Sequence, residues 1–298
     1  MIKITVPASS ANLGAGFDAL GIALTLYNRV WMEESDGCRI EAIDGADVPT
    51  DEHNMIYHTA RLLYNRCGRP FRGLHIVQES NIPMTRGLGS SSACLVAGLL
   101  GANTLLGSPL SRDDLSDLAA ELEGHPDNTA PALFGGLVTS VMDGGRVHTV
   151  SVPVSDRIRF ALFIPDFELK TEVARAVLPA QVSRADAVYN LSRAALMTAS
   201  LCAGSFENLR VAVQDRLHQP YRFPMIPGAD QVFYIAYGLG AHAVAISGAG
   251  PSILAIVKAG DETFPVRAEE RLREAGLSGW QVCLLGCDPR GAAVEFGR

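Results

Sequence analysis

The chain has 298 residues, 48% of them hydrophobic, with 25 Lys+Arg against 32 Asp+Glu for a formal net charge of −7. That much apolar material builds a core, which excludes a disordered chain, and the acidic balance argues against a general nucleic-acid binder, which needs a basic footprint. Only three of the cations are lysines (Lys3, Lys170 and Lys258) and the arginines are scattered, so a polybasic membrane-surface segment is not expected either.

In chain order, residues 2–6 read as a strand, 7–17 as a small-residue loop and 20–31 as a second strand. A β-like stretch follows around 39–43. Residues 54–67 carry Ile56, Ala60, Leu63 and Tyr64 on one stripe, the pattern of an amphipathic helix. Residues 74–78 read as a strand and 81–93 as a Gly/Ser loop opening onto an apolar helix over 94–106. Ser111 is placed to cap the next helix, with Asp113 and Asp114 in its first turn. After an interruption at 125–128, helix resumes over 129–134 and a strand pair occupies 137–152. The second half gives a strand at 159–164, a long helix at 185–203, and helices near 206–217 and 228–239. Strands at 243–247 and 253–257 follow, then a helix at 269–275 and closing strands at 282–285 and 293–296. This is an α+β pattern in two lobes, divided near residue 155.

No apolar run approaches the ~20 residues that span a bilayer, and the N-terminus shows no apolar leader with a cleavage site. Cysteines at 38, 67, 94, 202, 283 and 287 form no C-x-x-C pair. A cytoplasmic protein with reduced thiols is therefore expected.

The strongest chemical signal is Pro83-Met84-Thr85-Arg86-Gly87-Leu88-Gly89-Ser90-Ser91-Ser92-Ala93. Close glycines and three hydroxyls ahead of an apolar helix describe either a backbone-amide cradle for phosphate or an ordinary serine-capped helix entry. A Walker A loop needs Gly-Lys, which occurs nowhere. The dinucleotide fingerprint fails at Gly14-Ala15-Gly16 and at Gly248-Ala249-Gly250 for want of a third glycine, and no G-x-S-x-G elbow is present. Three more Gly/Ser/Asx clusters, at 7–18, 121–128 and 246–252, sit between strands and helices. Taken singly each is turn chemistry. Taken together they suggest one site built from several loops.

These four segments, PASSANLGAGFDALGIAL, NIPMTRGLGSSSA, EGHPDNTAPALFGG and ISGAGPS, resemble the GHMP kinases, and within them the branch that acts on L-homoserine. The resemblance implies a two-lobed fold. An N-terminal lobe (1–155) would be built like the second domain of ribosomal protein S5, and a C-terminal lobe (156–298) would be ferredoxin-like. It implies ATP and Mg²⁺ as cofactors and homoserine as the other small-molecule substrate, and it is compatible with a homodimer. Residues 83–93 would wrap the triphosphate. Ser91 and Glu123 match the metal ligands and, with Asn12 and Asp18, the catalytic set. Asn12, Asp18, His125, Asn128, Thr171 and Gly248 match the substrate pocket. Arg175 and Arg222, in segments resembling the family's T-x-x-x-R-x-x-L-P and P-Y-R, match residues holding a carboxylate. Asp18 is read as a positioning group, at most a weak base. Two departures stand out. Thr85 occupies a position where many relatives have glycine, next to Arg86, and the Glu123-Gly124-His125 stretch is short. A kinase for another small alcohol, such as mevalonate, and a non-catalytic ATP-binding regulator are the competing readings.

Overall fold

In the computed structural model, which describes residues 1–296, strand pairing runs straight through the small residues expected to form a loop. β1 (Ile2–Ala11) is antiparallel to β2 (Leu20–Glu34) along its whole length, with a register shift between Pro7 and Ala8. Pro7 has no N–H for the ladder, which accounts for the irregularity. Ala8, Ser9 and Ser10 are fully buried, so side chains this small are what lets neighbours close on both faces of the strand. β3 (Gly37–Ala42) runs parallel to β4 (Gly73–Ser80), joined by α1 (Met55–Arg66), whose first amides are capped by Asn54. α2 (Ser90–Leu105), α3 (Arg112–Glu123) and α4 (Thr129–Phe134) cover the sheet, and the hairpin β5 (Leu137–Asp143) and β6 (Arg146–Val152) extends it from β2. Ser111 and Asp114 form a reciprocal capping box on α3. α2 starts four residues earlier than the apolar run suggested, because Ser90–Ala93 already turn helically behind Gly89. Apolar on all sides, α2 is buried against α1, α3, α4 and β1.

The second lobe comprises β7 (Ile158–Pro165), α5 (Thr171–Ala176), α6 (Arg184–Ala203), α7 (Leu209–Ala212), α8 (Gln219–Arg222), α9 (Ala229–Gly238), β8 (Ala243–Ile246), β9 (Ile253–Lys258), α10 (Phe264–Glu274) and β10 (Trp280–Leu285). Its four-stranded antiparallel sheet has the order β10-β7-β9-β8, the split βαβ arrangement of ferredoxin-like domains. The helix expected near 206–217 shrinks to the single turn of α7, since Asp215 takes the backbone amides of residues 217–219 and turns the chain. α10 begins before the expected 269, because Pro265 is tolerated in a first helical turn.

The C-terminal boundary needs correction. β11 (Ala293–Phe296), expected in the second lobe, pairs with β1 and forms the edge of the first sheet. Asp288 steers the return. One carboxylate oxygen accepts the amides of Arg290 and Gly291, and the other accepts the Tyr27 hydroxyl at 2.7 Å.

A single apolar core runs across both lobes, joining Ile4, Leu20 and Leu95 of the first to Phe160, Met197, Leu209 and Leu254 of the second. Another lies between the second sheet and α9 and α10. Among the described residues no helix is long and apolar enough to cross a membrane.

Candidate active site

The four loops singled out in the sequence converge where the lobes meet. The N-terminus of α2 opens into a cavity lined by Thr85–Ser92, Glu123, His125, Asp127, Asn128, Thr171, Arg175, Arg222, Asn12 and residues 248–249. The residue before the helix, Gly89, is left-handed (φ 69°) and supplies no side-chain cap. The first-turn amides are therefore left for a ligand, with the positive end of the helix dipole behind them, which favours the phosphate cradle over the serine-capped entry. A Cβ at Gly89 would lie 2.1 Å from the Ser9 hydroxyl, and one at Gly87 2.3 Å from the Ser247 carbonyl oxygen. Both glycines are thus required by close neighbours as well as by backbone conformation. Ser247 donates to the Gly87 carbonyl at 2.7 Å and shares a hydrogen bond with Ser10. Thr85 takes the left-handed backbone (φ 52°) of a glycine position, a strained choice for a β-branched residue.

Arg86 is turned away from the cradle. Its guanidinium donates to the carbonyls of Pro165 (3.0 Å), Asp166 (2.8 Å) and Met84 (3.2 Å), and lies 3.5 Å from Glu168. The loop is held to the end of β7 by this fork and by the Leu169 amide on the Thr85 carbonyl.

Across the cavity, Arg175 on α5 forms a bidentate pair with Asp18, at 2.7 and 3.1 Å. Burial opposes the Arg175 charge, but the Asp18 hydrogen bonds and charge outweigh it and hold the guanidinium above its ordinary value. Arg222 is 1% exposed. Burial, then the charge of Arg175, pull it down to about 10. It donates to the carbonyls of Ala174 and Gly248 and to His218 Nδ1, each at 3.1 Å. Both guanidinium groups lie over the Phe17 ring, at 5.6 and 5.3 Å.

The third wall carries oxygen donors. Ser92, buried, donates to Glu123 at 3.0 Å, whereas exposed Ser91 meets only the Met55 sulfur at 3.4 Å, a weak acceptor. A carboxylate and a loosely held hydroxyl beside the phosphate cradle are hard ligands that fit Mg²⁺. Asp18, His125 and Asp127 also bring ligand atoms within 4.8 Å of one another, but Asp18 is taken by Arg175 and His125 by Asp127, at 2.5 Å. Burial lowers the His125 pKa, and the Asp127 hydrogen bond and charge overcome this to raise it. Asn128 accepts from Ser9, and Asn12 bridges the Gly248 carbonyl and the Asp18 amide.

Most of the residues expected from the sequence meet here. Pro83, Met84 and Ala93 do not line the cavity; Met84 points to solvent, 45% exposed, and Ala93 into the core. Asp18 does not line it either, and stands behind Arg175, His125 and Asp127. Sequence reasoning missed Phe17, Asp127, Ala249 and His218. Asp127 stands two residues from His125 within HPDN, and His218 precedes Arg222 by one helical turn; those spacings were the available signals.

Residues 54–136 match the family model for the GHMP kinase N-terminal domain and residues 197–276 that for the GHMP kinase C-terminal domain. The chain belongs to the GHMP kinase family. It is 44% identical to a homoserine kinase of Clostridium beijerinckii, over all of this chain and 99% of that protein, and 43% identical to one of Caldicellulosiruptor saccharolyticus, over 99% and 96%. The crystal structure of a Cytophaga hutchinsonii homoserine kinase matches with a TM-score of 0.86 at 30% identity, covering 99% of this chain and 97% of that one. Within the family, its place is among the homoserine kinases. A mevalonate kinase of L. major, crystallised with R-mevalonate, shares the fold at 14% identity and a TM-score of 0.71.

Proposed function

We propose that the chain transfers the γ-phosphoryl group of ATP to the side-chain hydroxyl of L-homoserine, giving ADP and O-phospho-L-homoserine in threonine biosynthesis. The observation that carries the reading is the pairing of an uncapped α2 N-terminus with two guanidinium groups on the opposite wall. One side suits phosphate and the other a carboxylate. The cavity has a volume of about 120 Å³, which suits a small polar acceptor. A neighbouring compartment of about 460 Å³ shares Ser91, Glu123, His125, Thr171 and Arg175 with it and has room for the rest of the nucleotide.

The amides of residues 87–92 would hold the triphosphate. Glu123, oriented by Ser92, and the Ser91 hydroxyl would hold Mg²⁺, which neutralises phosphate charge when bound. Arg175 and Arg222 would take the substrate carboxylate. Asp18, then sharing Arg175 with that carboxylate, would face the ammonium group, while His125 and Asn128 would flank the acceptor. Since the transition state of phosphoryl transfer is loose, alignment and charge neutralisation supply most of the acceleration. The same reading places the enzyme in the cytoplasm as a homodimer; the exposed Val188 and Leu191 of α6 support self-association, and light scattering tests it. The function itself is tested by ADP release from Mg-ATP with homoserine, mevalonate, serine and galactose. Turnover with homoserine is expected. Preference for mevalonate or galactose, or no turnover at all, would overturn the reading.

A further inference from the structure

His218 has 0% of its surface exposed and sits one turn ahead of Arg222 on α8. Its Nε2 lies 2.8 Å from the carbonyl oxygen of Gly14, which can only accept. Nε2 therefore carries the proton. Its Nδ1 lies 3.1 Å from Arg222 Nη1, which can only donate, so Nδ1 presents a lone pair. Both ring nitrogens are satisfied by the neutral Nε2–H tautomer and by neither alternative. Asp215 does not compete for the proton. Its nearer oxygen stands 3.6 Å from the ring, and the carboxylate is filled by the amides of Leu217, His218 and Gln219 and by the Asn190 side chain. Burial holds the imidazole pKa below its ordinary value; the charge of Asp215 opposes this, and that of Arg222 acts with burial. Phe17 stacks on the ring, 5.2 Å between centroids at 21°, and closes the other side.

The consequence lies at Arg222. Its Nε is fixed by Ala174 and its Nη1 by His218 and Gly248. Nη2 has no hydrogen-bond partner among the described residues, while the side chain lines the cavity. We propose that His218 is a positioning residue for the carboxylate-binding step: as an obligately neutral acceptor it fixes the roll of the Arg222 guanidinium, so that the Nη2 edge alone faces the substrate. This deepens the proposed function and rests on it for the identity of the carboxylate.

Two reciprocal variants separate this role from core packing. His218→Asn keeps an oxygen near the Nδ1 position to accept from Arg222 and gives up the contact with Gly14. His218→Gln keeps a donor for Gly14 and gives up the acceptor. The KM for homoserine is expected to stay within about threefold of wild type in His218→Asn and to rise about 10- to 100-fold in His218→Gln, the loss of one hydrogen bond to a charged group. The KM for ATP should be unchanged in both, and their melting temperatures similar. Equal effects of the two variants, or a parallel rise in the KM for ATP, would assign His218 to packing and overturn the proposal. Nitrogen-15 NMR of the wild-type imidazole gives a readout that does not depend on the substrate. A protonated Nε2 and bare Nδ1 are expected, and an imidazolium or the opposite tautomer would overturn the inference even if homoserine is turned over. Wild-type protein that shows the expected tautomer yet fails to turn over homoserine would overturn the substrate and, with it, the positioning role assigned here.

Discussion

Replacing Arg86 tests whether the proposed phosphate loop owes its function to shape or to charge. An arginine beside a glycine of the proposed phosphate loop invites the reading that it grips phosphate, but three of its hydrogen bonds end on carbonyl oxygens, two of them in the second lobe, and the fourth on the neighbouring Thr85 hydroxyl. The side chain is 15% exposed. Hydrogen bonds from a charged donor are worth about 1.5–3 kcal/mol each when fully buried. The freed carbonyls at this surface can rehydrate, so roughly 1 kcal/mol apiece, or about 2–3 kcal/mol in all, is the reasonable figure for Arg86→Ala. If most of that strain of repositioning falls on the loop, the KM for ATP in a coupled ADP-release assay rises about 10- to 100-fold, and the KM for homoserine stays within about twofold. Arg86→Lys keeps the charge but loses the fork, and it should resemble Arg86→Ala. Wild-type behaviour from Arg86→Lys would refute the reasoning, because charge alone would then suffice.

Two further outcomes follow from the same site. Asp18→Asn should raise the KM for homoserine and leave kcat near wild type, as expected of a group that orients substrate through Arg175; a collapse of kcat at saturating homoserine would make Asp18 the base. Thr85→Gly removes left-handed strain of about 1–2 kcal/mol and adds back up to about 1 kcal/mol of chain entropy. Calorimetry should therefore find a melting temperature unchanged or raised by about 1–3 °C, and a clear fall would mean that the threonine side chain itself stabilises the loop.

How much of this was legible in the sequence depended on whether the determining contacts were local. The glycine-framed helix entry was legible because Gly87, Gly89 and the apolar helix behind them act within one turn, and the same holds for the Ser111 cap; from those residues alone a phosphate cradle and an ordinary capped entry read alike. Arg222 was not. As an arginine in a short polar segment it reads as a surface residue, and its burial is imposed by Phe17, Ala174 and Gly248, all distant along the chain. The Asp18–Arg175 pair, 157 residues apart, has no local signature at all; only resemblance brought its two members to one site. The strand through Ser9 and Ser10 was missed for a related reason. Small polar residues read as loop until a second lobe closes over them and supplies partners such as Ser247. Arg86 shows the converse limit, since its place in a phosphate loop was legible but the direction of its side chain was set by carbonyls in the other lobe.

The pairing of Ile2 with Phe296 makes the second lobe an insertion within the first. During synthesis the ribosome completes every strand of the second sheet before it releases the one that closes the edge of the first. The first lobe is therefore the last to be finished, although most of it is made first. The two ends of the described chain also lie side by side on one sheet edge. Joining them with a short linker and opening the chain between β6 and β7 would leave the eleven strands of the described residues in place and turn the nested lobes into consecutive ones.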